Sequence, residues 1–475
     1  MSSNVPARFI TPFLPKLSHV SIALGALALF GCSSGSGEPG FDIKDSIKDA
    51  EGIWASRGYG WVISVDKTGF IGYDFADGFC LKNADLSGPK DEFPAPFLLH
   101  EDGGVMKIRL EDPAYKYSFE RLGELPASCR EVPSSDPIAI VDVFEALFQT
   151  HYQFFDVRNI NWPEVMDGIR GQVTPETTET ELFDILASAV NKIDDGHVSL
   201  RAEIAGESRL ANPGRGKTGR ALRRLAADQG VTPKQLGKSW RTNIQKGVEN
   251  DILKGQANIA GNNWIRYGTI GTDIGYLSIM AETDYAQNEG EDSHQVIEAV
   301  MNDVMADFKD VSAVILDISL NHGGDDGISR RIARRFTDIS SVAYSKHAGD
   351  GQGETPQDVY LRPNEDLPAF TGPVYLLTSD HTVSAGEILT LSLKGLPNVT
   401  HVGETTRGAL SDILGKQLPN GWVVTLSNEI YADGDGTLWE GKGIPPEIEL
   451  PVFSQANPFE GHTQAVTELV KLIRQ

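Results

Sequence analysis

The chain has 475 residues and carries 66 Asp+Glu against 42 Lys+Arg, a formal charge of −24. At about 150 residues per domain this is two to four domains with ample core, and 40% hydrophobic residues exclude both a disordered chain and a coiled coil. A chain this acidic is repelled by a phosphate backbone, so no nucleic-acid partner is expected.

The first 31 residues contain Arg8 and Lys16, no acid, and an apolar run from Val20 to Phe30. Eleven apolar or small residues fall short of the ~20 that cross a bilayer as a helix, so 1–31 reads as a signal peptide. Leu29-Phe30-Gly31-Cys32 resembles a bacterial lipobox, although Phe30 stands where that motif prefers a small residue. The expectation is a cell-envelope protein lipidated on Cys32 and anchored to the membrane by that lipid, with 32–48 as tether; ordinary cleavage near Gly31 is the alternative. Cys80 and Cys129 then lie in an oxidising compartment, where a disulfide is expected rather than two buried thiols.

Residues 49–132 alternate short β-rich runs, such as Trp61-Val62-Ile63-Ser64-Val65, with Asp/Gly turns, and predict a small antiparallel β domain. Helical spacing follows in 136–262, with Val141, Phe144, Leu147, Phe148 and then Leu182, Ile185, Leu186, Val190. Thr177-Thr178-Glu179-Thr180-Glu181 suits the start of that second helix, and Asp194-Asp195-Gly196-His197 ends it. Within this region, 209–254 hold 11 Lys+Arg and three acids, which reads as a helical insertion with a solvated basic face. The alternative is a patch that meets anionic lipid or an acidic substrate.

Residues 263–455 alternate strands and helices as an α/β core, with strands at 276–279, 313–317 and 374–377 and helices at 293–308, 328–336 and 385–393; 456–475 is a final helix. Functional loops belong at the carboxyl ends of such strands. Ser384 follows a buried strand and opens a helix, so its hydroxyl and the Ala385 N–H suit a nucleophile with an adjacent oxyanion donor. Ser384-x-x-Glu387 equally fits a capping box that merely satisfies the helix start.

Six stretches in order, Asp194-Asp195-Gly196-His197, 317–324, Ser384-Ala385-Gly386-Glu387, 403–408, 418–421 and 440–446, resemble the C-terminal-processing (tail-specific) serine peptidases from about 138 to 450. The resemblance implies a ClpP/crotonase-like α/β catalytic domain, a serine-type peptidase activity and Ser384 as nucleophile. That family has a Ser-Lys branch and a tricorn-like Ser-His-Glu branch. Ala409 occupies the lysine position of the first, and Lys416 is seven residues displaced. The resemblance therefore implies His197 as base and Glu440 as the acid that orients it, with His322 and His381 as weaker competitors. The oxyanion donors would be Ala385 with Gly323 or Gly324, where the absence of a side chain lets backbone approach a carbonyl.

The insertion lacks the glycine-rich strand pattern of the PDZ module that many tail-specific members carry, so C-terminal selectivity is not expected. No His-Glu-x-x-His zinc motif and no phosphate loop occurs, and no metal or cofactor is expected. The expected partner is a peptide or unfolded protein cleaved as an endopeptidase substrate. The rival reading is a non-catalytic lipoprotein that binds an apolar ligand or a peptide on the same scaffold.

Overall fold

The structure, a computed structural model, describes residues 41–44, 50–89, 92–93, 97–100, 104–108, 114–130, 134–288, 290–349, 355–364 and 366–475. The expected signal peptide and Cys32 lie outside the described residues.

Ala313–Asp317 and Val374–Thr378 are apolar almost throughout because both faces of their sheet are covered. They are central in a seven-stranded sheet whose strands follow chain order. Asn258–Ala260, Ile265–Ile270 and Ile274–Ile279 pair antiparallel, and Ala313–Asp317, Val374–Thr378, Val399–Gly403 and Ile448–Glu449 then add in parallel. Val314, Leu316 and Leu376 pack on one side with Ile297, Ile328 and Ile388, from helices Ser293–Asp307, Asp326–Ala333 and Ala385–Lys394. Ile315, Leu377 and Val402 face the other side. There the basic insertion contributes Leu222 from helix Gly216–Asp228 and Trp240 from helix Pro233–Lys246, beside Val466 of the last helix, His462–Ile473. The insertion is therefore amphipathic: its apolar face closes the core, and most of its lysines and arginines, such as Arg223, Arg224, Lys234 and Lys238, are exposed. Its first residues are strand rather than helix, since Glu207–Ala211 pairs with Ser199–Ile204.

Three helices, Pro137–His151, Trp162–Arg170 and Glu179–Val190, form the layer before the core. The third begins in the Thr178–Glu181 capping box, which satisfies two of its orphan donors. The N-terminal domain is one eight-stranded sheet with only antiparallel pairs among the described residues. Its first strand, Phe41–Lys44, falls within the segment read as tether and pairs with 97–100. Cys80 and Cys129 are disulfide-bonded, with Cα atoms 4.7 Å apart.

This domain docks on the core through a fully buried ion pair, Lys416 Nζ to Asp74 Oδ1 at 2.7 Å, and the same ammonium donates to the Gly60 carbonyl at 2.9 Å. Lys416 is thus committed to holding two domains together.

Candidate active site

Two loops leave the carboxyl ends of the neighbouring strands Ala313–Asp317 and Val374–Thr378 and are laced to one another. Thr382 Oγ1 donates to the Ile318 carbonyl at 2.8 Å, Ser379 Oγ to the Ser319 carbonyl at 2.6 Å and Val383 N–H to the Asn321 carbonyl at 3.3 Å. The second loop ends at Ser384, whose backbone has φ 59° and ψ −130°. A non-glycine residue there stores on the order of 1–3 kcal/mol, held by the surrounding hydrogen bonds.

The capping-box alternative does not form. Ser384 makes no side-chain cap bond. Glu387, fully buried, turns instead to the strap 406–409: Oε1 accepts from Thr406 Oγ1 at 2.6 Å and Gly408 N–H at 2.7 Å, and Oε2 from Ala409 N–H at 2.8 Å. Ser384 N–H donates to the carbonyl of the same Ala409 at 3.1 Å. The hydroxyl is left half-buried with no hydrogen bond among the described residues.

The glycine loop lies against this turn. A Cβ on Gly323 would come within 2.6 Å of Ser384 Cβ, and one on Gly386 within 2.7 Å of Asn321 Oδ1, so both positions admit only hydrogen. Asn321 is the loop's internal brace: Nδ2 donates to the Ile279 carbonyl and to Glu282 Oε1, and Oδ1 accepts from Gly323 N–H at 2.7 Å. Of the two glycines read as oxyanion donors, Gly323 therefore has its N–H occupied. The N–H groups of Gly324 and Ala385 donate to no acceptor among the described residues.

His197 arrives on a turn closed by its own N–H to Asp195 Oδ1 at 2.9 Å. Gly196 packs on the strap, where its Cβ would lie 3.3 Å from Ala409 Cβ and 3.9 Å from Val383 Cγ2. Ala409 thus joins the His197 turn to the Ser384 turn. The imidazole is buried, its Nδ1 has no hydrogen-bond partner among the described residues, and the Ser411 backbone faces it. Burial holds its pKa below the usual histidine value, with Asp195 opposing and Arg158 and Arg407 adding to the depression.

Glu440 is buried beside this turn, but no hydrogen bond joins it to the imidazole. Its Oε2 accepts from Leu410 and Ser411 N–H at 2.7 and 3.0 Å, and Oε1 from Arg158 Nη2 at 2.9 Å. Arg158 also meets Asp195 Oδ2 at 3.3 Å, which takes the Tyr152 hydroxyl at 2.9 Å. Burial and then Asp195 push the Glu440 carboxyl up to about 8, against the pull of Arg158 and Ser411 N–H. The sequence reading missed Arg158, Asp195, Tyr152 and Asn321; of these, Asp195 and Asn321 lay within stretches singled out for chemistry, but neither was given a role.

The competing histidines are packed elsewhere. His381 stands edge-on to Trp240 at 5.0 Å and its pKa is driven down to about 3, first by burial and then by Arg407. His322 stands against Trp264 at 5.0 Å.

Residues 273–450 match the model of peptidase family S41. Over 238 residues, 48% of this chain and 49% of the relative, the sequence is 24% identical to the carboxy-terminal processing protease CtpA of Bacillus subtilis. It is 26% identical over 186 residues to carboxyl-terminal-processing peptidase 2, chloroplastic, of Arabidopsis thaliana, covering 39% of this chain and 33% of that one. The chain spans half or less of the length of these two curated relatives. A solved peptidase structure from Parabacteroides merdae shares the fold over 72% of this chain and 98% of its own, with TM-score 0.57 and 23% identity. Mature CPAF does so over 72% and 97%, with TM-score 0.51 and 13% identity. These matches make residues 273–450 similar to the C-terminal-processing serine peptidases.

Proposed function

We propose that this protein is an exported, lipid-anchored serine endopeptidase acting through an acyl-enzyme intermediate. Ser384 Oγ attacks the scissile carbonyl and gives its proton to neutral His197. The oxyanion takes hydrogen bonds from Gly324 and Ala385 N–H, each donor worth ~10²- to 10³-fold in rate. His197 then protonates the leaving amine, and a water activated by the same imidazole releases the acid. Glu440 is a positioning residue: it fixes Leu410 and Ser411, and Ser411 faces the imidazole.

The observation that carries this reading is that Ser384 is strained and unbonded while Glu387, its formal capping partner, braces the strap. The binding-protein reading asks for the reverse, a relaxed serine spent on its helix. A fluorophosphonate probe tests the proposal: labelling and peptide hydrolysis are expected in the wild type and lost in Ser384→Ala, and an unlabelled, inactive wild type overturns it. Export and the lipid rest on 1–32; radiolabelled fatty acid should enter the wild type and not Cys32→Ala.

A further inference from the structure

We infer that the cavity between the strap and the start of the basic insertion is a subsite for an acidic side chain of the substrate peptide; this rests on the peptidase reading. The cavity holds about 220 Å³, and Gly196, Gly214, Gly408 and Ala409 form part of its wall. Drug-sized ligands occupy ~300–1,000 Å³, so this space suits a single side chain. Its place is set by its neighbours, since Gly196 precedes His197 and Ala409 accepts the Ser384 N–H.

Its charge is lopsided. Arg158, Lys217, Arg220, Arg407 and Lys442 line it, against Asp194 and Asp380. Arg158 is spent on Glu440 and Asp195, and Arg220 reaches Asp194 at 3.6 Å. Asp380 directs its carboxylate to the N–H and hydroxyl of Thr218. Arg407 is bound only to carbonyls, donating to Asp380 O at 2.8 Å and Gly214 O at 3.1 Å. Lys217 and Lys442 are exposed and have no ion-pair partner among the described residues. Three cations thus surround the space without a carboxylate ion pair. Burial depresses the Arg407 pKa below the usual guanidinium value, as expected of a buried cation whose pairing is incomplete. An entering Glu or Asp side chain would supply the missing anion.

The test compares internally quenched peptide libraries with acetylated and amidated ends, in which one position carries Glu or Gln and the others are mixed. At one position near the scissile bond, Glu should be preferred about 10-fold at low salt and much less at 0.5 M salt. The Glu:Gln ratio should fall toward one in the double variant Lys217→Gln, Lys442→Gln and recover in the double variant Lys217→Arg, Lys442→Arg. Cleavage with no Glu preference at any position, or a preference unchanged in the glutamine variant, overturns the subsite and leaves the peptidase reading standing. The same libraries are also titrated by fluorescence anisotropy against Ser384→Ala, where acidic peptides should bind about 10-fold tighter than their amide counterparts. Preferential binding without wild-type hydrolysis would keep the subsite and remove the peptidase, whereas equal binding removes the subsite. A matched library with free C-termini is titrated beside them; if it binds and the amidated libraries do not, the carboxylate is that of the chain end and the side-chain assignment falls.

Discussion

Ser384 N–H donates to the Ala409 carbonyl at 3.1 Å, and the Ala409 N–H is in turn held by Glu387, three residues beyond Ser384 on the same helix. The Ser384 turn and the strap therefore fix each other through one residue. Glu387→Ala would strand three donors, Thr406 Oγ1 and the N–H groups of Gly408 and Ala409, in a buried site. The expected loss is on the order of 3 kcal/mol of stability, seen as a lower midpoint in urea, with hydrolysis depressed more than unfolding explains. A variant as stable and active as the wild type would show that the strap is not needed.

Lys416 separates the two possible catalytic designs. Removing it breaks a fully buried pair and leaves Asp74 uncompensated, so Lys416→Met should cost about 3–5 kcal/mol in denaturant unfolding. Below its melting temperature the variant should still react with fluorophosphonate, because the base is elsewhere. Labelling abolished in a demonstrably folded Lys416→Met would restore lysine as the general base.

The glycine at 323 admits a sharper geometric test. An alanine there would press on Ser384 Cβ from 2.6 Å while holding φ at +88°. Gly323→Ala should therefore reduce kcat by about 100-fold or more through displacement of the nucleophile. Gly230→Ala, also at positive φ but with nothing near its Cβ, controls for backbone strain alone and should leave kcat within about twofold. Equal effects from the two variants would remove the close-approach argument.

The core strands and the Ser384 turn were legible in the sequence because runs such as Val374-Tyr375-Leu376-Leu377 carry no competing signal, and because the strand is followed at once by a helix start. The direction of Glu387 was not. A capping box and a strap anchor use the same two residue types at the same spacing, and only the approach of 406–409, some twenty residues later, decides between them. Arg158 and Tyr152 were hidden for a similar reason: each sits in a loop after a helix and acquires its role only when Asp195 and Glu440 are folded beside it. Asn321 lay inside a quoted stretch, yet the reading attended to its glycines and not to what occupies their N–H groups.

Glu282 gives a stability signature of the glycine loop. Burial pushes its carboxyl from 4.5 up to about 8; Oε1 accepts from Asn321, and Oε2 has no partner. The folded state therefore binds this proton more tightly than the unfolded chain does. Its contribution is fully present below about pH 4.5 and is lost as pH rises through about 8. Glu282→Gln keeps an acceptor for Asn321 and removes the titration. Between pH 5 and 8 the wild type should lose stability relative to Glu282→Gln by on the order of 3 kcal/mol, measured by urea unfolding at each pH. Parallel pH curves for the two proteins would mean that Glu282 is ionised throughout.

His197 must be neutral to accept the Ser384 proton, and burial holds its pKa below the usual histidine value. Protonation disables a base, so kcat/KM should rise with pH along an acid limb whose midpoint falls below about 6.5, with the enzyme already on its plateau at neutrality. Glu440 acts on this limb at one remove: Glu440→Ala removes the acceptor of the Leu410 and Ser411 N–H groups and should lower kcat while leaving the position of the limb nearly unchanged. His197→Ala should cut turnover by on the order of 10⁴-fold or more and abolish the limb itself, with the fold intact by circular dichroism. His322 and His381 are packed against tryptophans and are not expected to take over the proton, and a variant at 197 that retains the wild-type acid limb would show that another group is the base.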